Sequence, residues 1–424
     1  AAKTQIPATY KILFVGDLNA DPSILRDRIA QENPNLIILL GDYIYGFTTK
    51  TAVDNFYNNL IPANFTGKII AVAGNHDIYA GVEGGTASPG GVNRNSTTQP
   101  STASDLQLYL FDKLGMTPLS TIVYKDANVA ILGVPGASFG PASGAADTTD
   151  TTYSATDMHV IQSSIAREFA TYWSKIIKAD RSAEWKIFLS HYQLFGYSAG
   201  SAGRDRNDLR YYYLPLLVKQ TTDPQNAESF DLILSGHIHG NGRSKVILPS
   251  TTASMFAQPD SNYATANYGD NGSVDFTNNL GHGVIQVING NGGQAGGNPS
   301  FNYTTYPLTT YTNTFDGTGR VWTDTAWGYS TITITNTDTS TTAVIKSYNR
   351  DDTTGTWSLS DTFTIIKNRR YAGDMQNINV NTDATTTPFT PHANIFDPHR
   401  RMGLAAFTPS STNSAVNADS VQEI

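Results

Sequence analysis

"LILSGHIHGN", residues 232–241, decides how the chain is read. An apolar run breaks at Gly236 into two histidines spaced two apart, His237 and His239. Alone, such a pair reads equally well as two polar turn residues or as two metal ligands. The same pattern recurs elsewhere. "YKILFVG" (10–16) is followed by Asp17, "NLIILLG" (35–41) by Asp42 with Tyr45 close behind, "KIIAVAG" (68–74) by Asn75-His76-Asp77, and "WKIFLS" (185–190) by His191. Each run is short, apolar and rich in β-branched residues, as expected of a strand buried on both faces. In an open α/β sheet the carboxyl ends of parallel strands open on one crevice, so groups remote in sequence meet there. Taken singly, Asp17 and Asp42 serve as helix caps or turn formers, Asn75 as a turn residue, Tyr45 as a half-buried aromatic and His191 as a core histidine. Metal-capable groups at the ends of all five strands make a joint metal site the stronger reading.

Composition narrows the chemistry. The chain has 424 residues, 39% of them hydrophobic, enough for a sizeable core in one large domain or two. Its charged fraction of 15% lies well below the roughly 25% usual for soluble proteins, and Thr, Asn, Ser and Gly fill the difference. A weakly charged polar surface of this kind is expected outside cells, secreted or at the cell surface. The opening Ala1-Ala2-Lys3 fits a mature chain cut after a small-residue site, and equally a trimmed one. With no cysteine, any metal must be held by oxygen and imidazole nitrogen. No apolar run approaches the roughly 20 residues of a membrane span. A net charge of -8 and a pI near 5.4 argue against a nucleic-acid partner. A small phosphorylated substrate would therefore have to be attracted locally, by a metal.

Strands alternate with amphipathic helices through the first 250 residues, with "NVAILGV" (128–134) and "FDLILSG" (230–236) among the strands, which implies an α/β core. A helix is expected after Asp21-Pro22 with Ile24, Leu25 and Ile29 on one side, and another along the stripe Val53, Phe56, Tyr57, Leu60. The longest should run over about 156–178, with Met158, Ile161, Ile165, Phe169, Trp173 and Ile176 or Ile177 facing inward. Stretches 81–104 and 136–155 have the composition of long surface loops. From Gly283 the strands "GVIQVING", "GYSTITITN", "TAVIKSYNR" and "WSLSDTFTIIK" follow without helices and suggest a second, hairpin-connected sheet. Residues 368–424 form a polar, aperiodic tail. It is expected to pack on its own domain or to be held by a neighbouring subunit, making a homo-oligomer or filament.

Taken in order, Gly-Asp, Gly-Asp-x-x-Tyr, Gly-Asn-His-Asp, a strand-end His and Gly-His-x-His resemble the calcineurin-like metallophosphoesterases, and Tyr45 points within them to the purple acid phosphatases. Most relatives carry Asp-x-His in the first motif; here Asn19 stands at that His, and the purple acid phosphatases likewise replace it with the tyrosine. "SHYQLFGYS" (190–198) and the closing strands are similar to the small, mammalian-type form. The resemblance covers about residues 1–367 and leaves 368–424 unmatched. It implies an α/β fold, a four-layer α/β/β/α sandwich of two mixed sheets flanked by helices, and an acid phosphatase hydrolysing phosphomonoesters. It further implies that Asp17, Asp42, Tyr45 and His239 hold ferric iron while Asp42, Asn75, His191 and His237 hold divalent iron, zinc or manganese, Asp42 bridging. His76 would contact the phosphate and protonate the leaving alkoxide, and Asp77 would orient a ligand or His76. A second substrate histidine of the small-type relatives would fall at Gly200; Arg204 and Arg206 nearby can clamp a phosphate but do not readily give up a proton. His159, His282, His392 and His399 read as structural. Two other readings remain open. One is a phosphodiesterase or nucleotide hydrolase of the same fold, if 81–104 forms a groove. The other is a self-assembling surface or appendage subunit that keeps the fold as a scaffold.

Overall fold

The β-branched runs become strands, and the computed structural model pairs them into two seven-stranded sheets. The structure describes residues 6–18, 22–43, 49–74, 77, 105–116, 121–134, 168–169, 171–172, 183–194, 213, 217, 230–237, 239–244, 246–249, 263–266, 273–275, 284–290, 292–293, 311–312, 327–351 and 353–369. The chain opens with β1 (Thr9–Val15), α1 (Ser23–Glu32), β2 (Leu36–Leu39), α2 (Lys50–Leu60) and β3 (Lys68–Ala71), the three strands lying parallel. Helix α3 (Asp105–Leu114) leads to β4 (Ile122–Asp126), β5 (Val129–Gly133), β6 (Trp185–Ser190), β7 (Leu232–Ser235) and β8 (Asn241–Ser244). A ribbon of β9 (Val246–Pro249) and β10 (Tyr263–Ala266) follows, then β11 (Ser273–Asp275), β12 (Ile285–Asn289) and β13 (Tyr311–Thr312). The long strands β14 (Gly328–Asn336), β15 (Ser340–Arg350) and β16 (Trp357–Asn368) close the described chain.

The late strands do not make a sheet of their own, which corrects the expectation from their helix-free pattern. The first sheet runs β11-β16-β15-β14-β1-β2-β3 and the second β13-β8-β12-β7-β6-β5-β4. Strand β14 pairs antiparallel with β1, Ile12 opposite Ile332, and β12 pairs parallel with β7, Val287 opposite Leu234. The physical reason lies at β1, where Ile12 to Val15 are fully buried. An unpaired edge there would leave backbone donors without partners in an apolar setting, and β14 supplies them. The expected hairpins between β14, β15 and β16 are present. Both sheets are mixed.

Alternation along the strands builds the layers. Ile12, Phe14, Leu36 and Ile38 face Ile131, Ile187, Leu189, Leu232, Leu234 and Val287 across the gap between the sheets. The opposite residues Leu13, Val15, Ile37 and Leu39 pack under Leu25 and Ile29 of α1, Val53, Phe56 and Leu60 of α2, and Leu110, Phe111 and Leu114 of α3. Each such side chain contributes about 1.5–3 kcal/mol by full burial. Thr49 caps α2 by accepting from the Ala52 N–H at 3.1 Å. Helix α1 starts after Pro22 with no side-chain cap and ends at Asn33 in a left-handed conformation. Helix α3 escapes the periodicity reading because Leu106, Leu108 and Leu110 alternate as they would in a strand. On the outer face of the second sheet, Phe188 meets the helical residues Phe169 and Tyr213 at centroid distances of 5.4 and 5.8 Å. Phe169 belongs to the long helix expected over about 156–178, of which residues 168–169 and 171–172 are described as helical. The expected loops 81–104 and 136–155, and the tail beyond Arg369, lie outside the described residues.

Because β1, β2 and β3 run parallel, as do β5, β6, β7 and β12, their carboxyl ends gather at one edge of the sandwich. Backbone bonds join them there. Gly16 N–H donates to Asn289 O across the two sheets at 2.9 Å, Asp17 N–H to Gly41 O at 2.9 Å, and Gly236 N–H to His191 O at 2.9 Å.

Candidate metal centre

At that edge the chain leaves its strands through strained positions. Asp17, Asp42 and His237 have φ of 56°, 59° and 66°, the left-handed region, which costs an L-residue roughly 1–2 kcal/mol. Such conformations persist where the surroundings over-determine them, and here they do. Asp42 N–H donates to Asp77 Oδ2 at 2.8 Å, and His237 N–H to Asp17 Oδ2 at 2.7 Å. The glycine that opens each motif has a steric cause. A Cβ on Gly41 would lie 2.5 Å from His191 Nδ1, and one on Gly236 would lie 2.6 Å from Asp17 Oδ2. The side chain of a neighbouring strand occupies that space.

Five predicted ligands therefore meet. His191 Nε2 lies 3.1 Å from Asp42 Oδ2 and 3.3 Å from His237 Nδ1, and one ligand atom from each of the three residues falls within 4.8 Å of the others. His239 Nε2 lies 3.3 Å from Asp17 Oδ1, whose second oxygen takes the His237 N–H. The His237 imidazole thus groups with Asp42 and His191, and the His239 imidazole with Asp17. His191 Nδ1 donates to Leu40 O at 2.7 Å, which puts the ring's lone pair on Nε2, toward Asp42 and His237, when the ring is neutral. Asp77, read from sequence as an orienting residue, accepts three backbone N–H groups: Asp42 at 2.8 Å, Tyr43 at 2.7 Å and Gly74 at 2.7 Å. It pins the loop after β2 to the loop after β3. Tyr45, Asn75 and His76 lie outside the described residues, as do Asn19, Gly200, Arg204, Arg206, His159, His282, His392 and His399. Sequence reasoning missed the Leu40 carbonyl, for which no side-chain signal exists, and Tyr192, flagged only by an aromatic ring directly after a strand-end histidine.

The calcineurin-like phosphoesterase family model matches residues 10–241, more than half of the chain and the whole interval from Asp17 to His239. The chain belongs to the calcineurin-like phosphoesterase family. No curated protein matches it. Among solved structures, the purple acid phosphatase from yellow lupin (Lupinus luteus) seeds is similar at 15% identity and a TM-score of 0.49, over 86% of this chain and 55% of that one. The chain thus spans about half the length of the lupin enzyme. Vps29 of Chaetomium thermophilum is similar at 10% identity and a TM-score of 0.28, over 86% of this chain and 99% of that one.

In this calcineurin-like phosphoesterase the donor set fits hard or borderline cations. Asp17 and Asp42 are buried carboxylates, three imidazoles adjoin them, and thiolate ligands are ruled out by the absence of cysteine. Burial and then the Asp42 charge push the Asp77 carboxyl up to about 7. Burial opposes a charge on His191, but the Asp42 carboxylate prevails and holds its proton up to about 9. A raised histidine contributes stability to the metal-free protein that is full below its ordinary 6.5 and is lost as pH rises through about 9. A cation held by His191 would have to displace that proton, so its affinity should rise with pH, roughly tenfold per unit, up to about 9. Calorimetric titration with zinc at neutral pH, in buffers of different ionisation enthalpy, should show proton release. Identical heats in every buffer would contradict it.

Proposed function

We propose that this phosphoesterase hydrolyses phosphomonoesters as a purple acid phosphatase-type enzyme. In this reading Asp17, Asp42, Tyr45 and His239 hold ferric iron, and Asp42, Asn75, His191 and His237 hold divalent iron, zinc or manganese, within a four-layer α/β/β/α sandwich. The supporting observation is the pairing at the sheet edge. Asp17 with His239, and Asp42 with His191 and His237, make two adjacent carboxylate–imidazole groups joined by the His237 N–H on Asp17. Bound there, the cations supply Lewis acidity toward the phosphoryl oxygens and acidify a water. The chain's own part is to orient these donors and to give up a proton. The Leu40 carbonyl fixes the His191 tautomer, Asp77 fixes the Asp42 loop, and His76, one residue before Asp77, protonates the leaving oxygen. The weakly charged composition, rich in Thr, Asn, Ser and Gly, supports an extracellular setting.

Two measurements test this reading. The purified protein should absorb visible light through a phenolate-to-iron band that Tyr45→Phe removes without changing the circular dichroism. Colour that survives the substitution takes Tyr45 out of the site. Turnover of an aryl phosphate should exceed that of a bis-aryl phosphodiester; the reverse order makes the enzyme a diesterase.

A further inference from the structure

The imidazoles of His191 and His237 follow the ends of different strands, β6 and β7, yet must present two nitrogen atoms to one point. Main-chain bonds fix the His191 ring through Leu40 and the His237 backbone through Asp17, but a backbone bond does not set the plane of the His237 ring. Tyr192 does. Its ring lies against that of His237 with centroids 4.2 Å apart and planes at 57°, and against that of His191 at 5.3 Å and 68°. The two histidine rings themselves stand 5.1 Å apart at 76°, so three rings form one packed cluster in which His191 Nε2 and His237 Nδ1 are 3.3 Å apart. Tyr192 is only 7% exposed. Its own position is pinned on both sides. The buried Ser190 hydroxyl donates to the Tyr192 carbonyl at 2.7 Å, and two residues on, Leu194 N–H donates to the side chain of Gln286 on β12 at 3.0 Å.

We infer that Tyr192 is a positioning residue, its ring acting as a wedge that holds the His191 and His237 imidazoles in the geometry needed to share one cation. The inference rests on the dinuclear reading proposed above. Both imidazoles that Tyr192 packs against belong to the same proposed cation, and the effect of losing the ring should therefore fall on that cation first. Packing by the ring, rather than the phenol oxygen, carries the role, so phenylalanine should replace it.

The test measures zinc binding to the full chain by competition with a chromophoric chelator, alongside the melting temperature in excess chelator. Tyr192→Ala should weaken one of two zinc sites by about tenfold or more. The other site should stay within about twofold, and Tyr192→Phe should restore both. Should the alanine variant fail to fold, Tyr192→Leu, which fills much of the volume without a planar ring, is read in the same way. Equal weakening of both sites, affinities unchanged in the alanine and leucine variants, or a phenylalanine variant as weak as alanine would each overturn the inference. Fewer than two zinc ions bound by the unaltered chain would instead overturn the dinuclear reading, and this inference with it.

Discussion

Replacing Asp42 with alanine is expected to lower turnover of an aryl phosphate by about a thousandfold or more, because several kcal/mol of Lewis-acid stabilisation go with it. Asp42 belongs to the buried group of Asp42, His191 and His237. Its Oδ2 lies 3.1 Å from His191, its backbone leans on Asp77, and it is the residue proposed to touch both cations. The metal-free protein should tolerate the change. The Asp42 charge raises Asp77, so its loss relieves a repulsion, while His191 loses the partner that holds its proton. These effects oppose one another, and melting in excess chelator should move by only a few degrees, whereas stabilisation by added zinc should vanish. Turnover within tenfold of the unaltered enzyme would show that Asp42 is not at the chemistry.

Asp77→Ala is expected to act in the opposite order, on the fold first and on activity through it. Three backbone N–H groups, of Asp42, Tyr43 and Gly74, would lose their acceptor inside the protein. An unsatisfied buried group costs about 1–3 kcal/mol. Some relief from entering water leaves a loss of roughly 3–5 kcal/mol, a large part of the 5–15 kcal/mol that holds a typical domain folded. Urea unfolding of the metal-free protein measures it. Asp77→Asn, which keeps one acceptor oxygen, should lose less. A loss under about 1 kcal/mol for alanine would mean that the loops after β2 and β3 do not depend on this carboxylate.

Much of the site was legible because steric need writes itself into sequence. A ligand packed against the end of the adjoining strand leaves no room for a Cβ, and so Gly41 precedes Asp42 and Gly236 precedes His237. The apolar runs were equally legible, since strands buried on both faces admit few polar residues. Burial on both faces does not, however, say which strand lies alongside. The union of β14 with β1 and of β12 with β7 depends on tertiary pairing that no local pattern records. Helix α3 was hidden by leucines at strand spacing, where packing under the first sheet overrode the local period. Nor could sequence announce the left-handed backbone of Asp17, Asp42 and His237, because aspartate and histidine mostly adopt ordinary conformations and only the surrounding bonds select this one. The role of Tyr192 required knowing that His191 and His237 stand side by side.

Metal analysis of protein purified without chelator, combined with anomalous X-ray diffraction from its crystals, tests the central claim most directly. Two ions per chain are predicted, one bound by Asp17 and His239, the other by His191 and His237, with the Asp42 carboxylate reaching both. A single ion, no ion, or two ions with Asp42 bound to neither would contradict it.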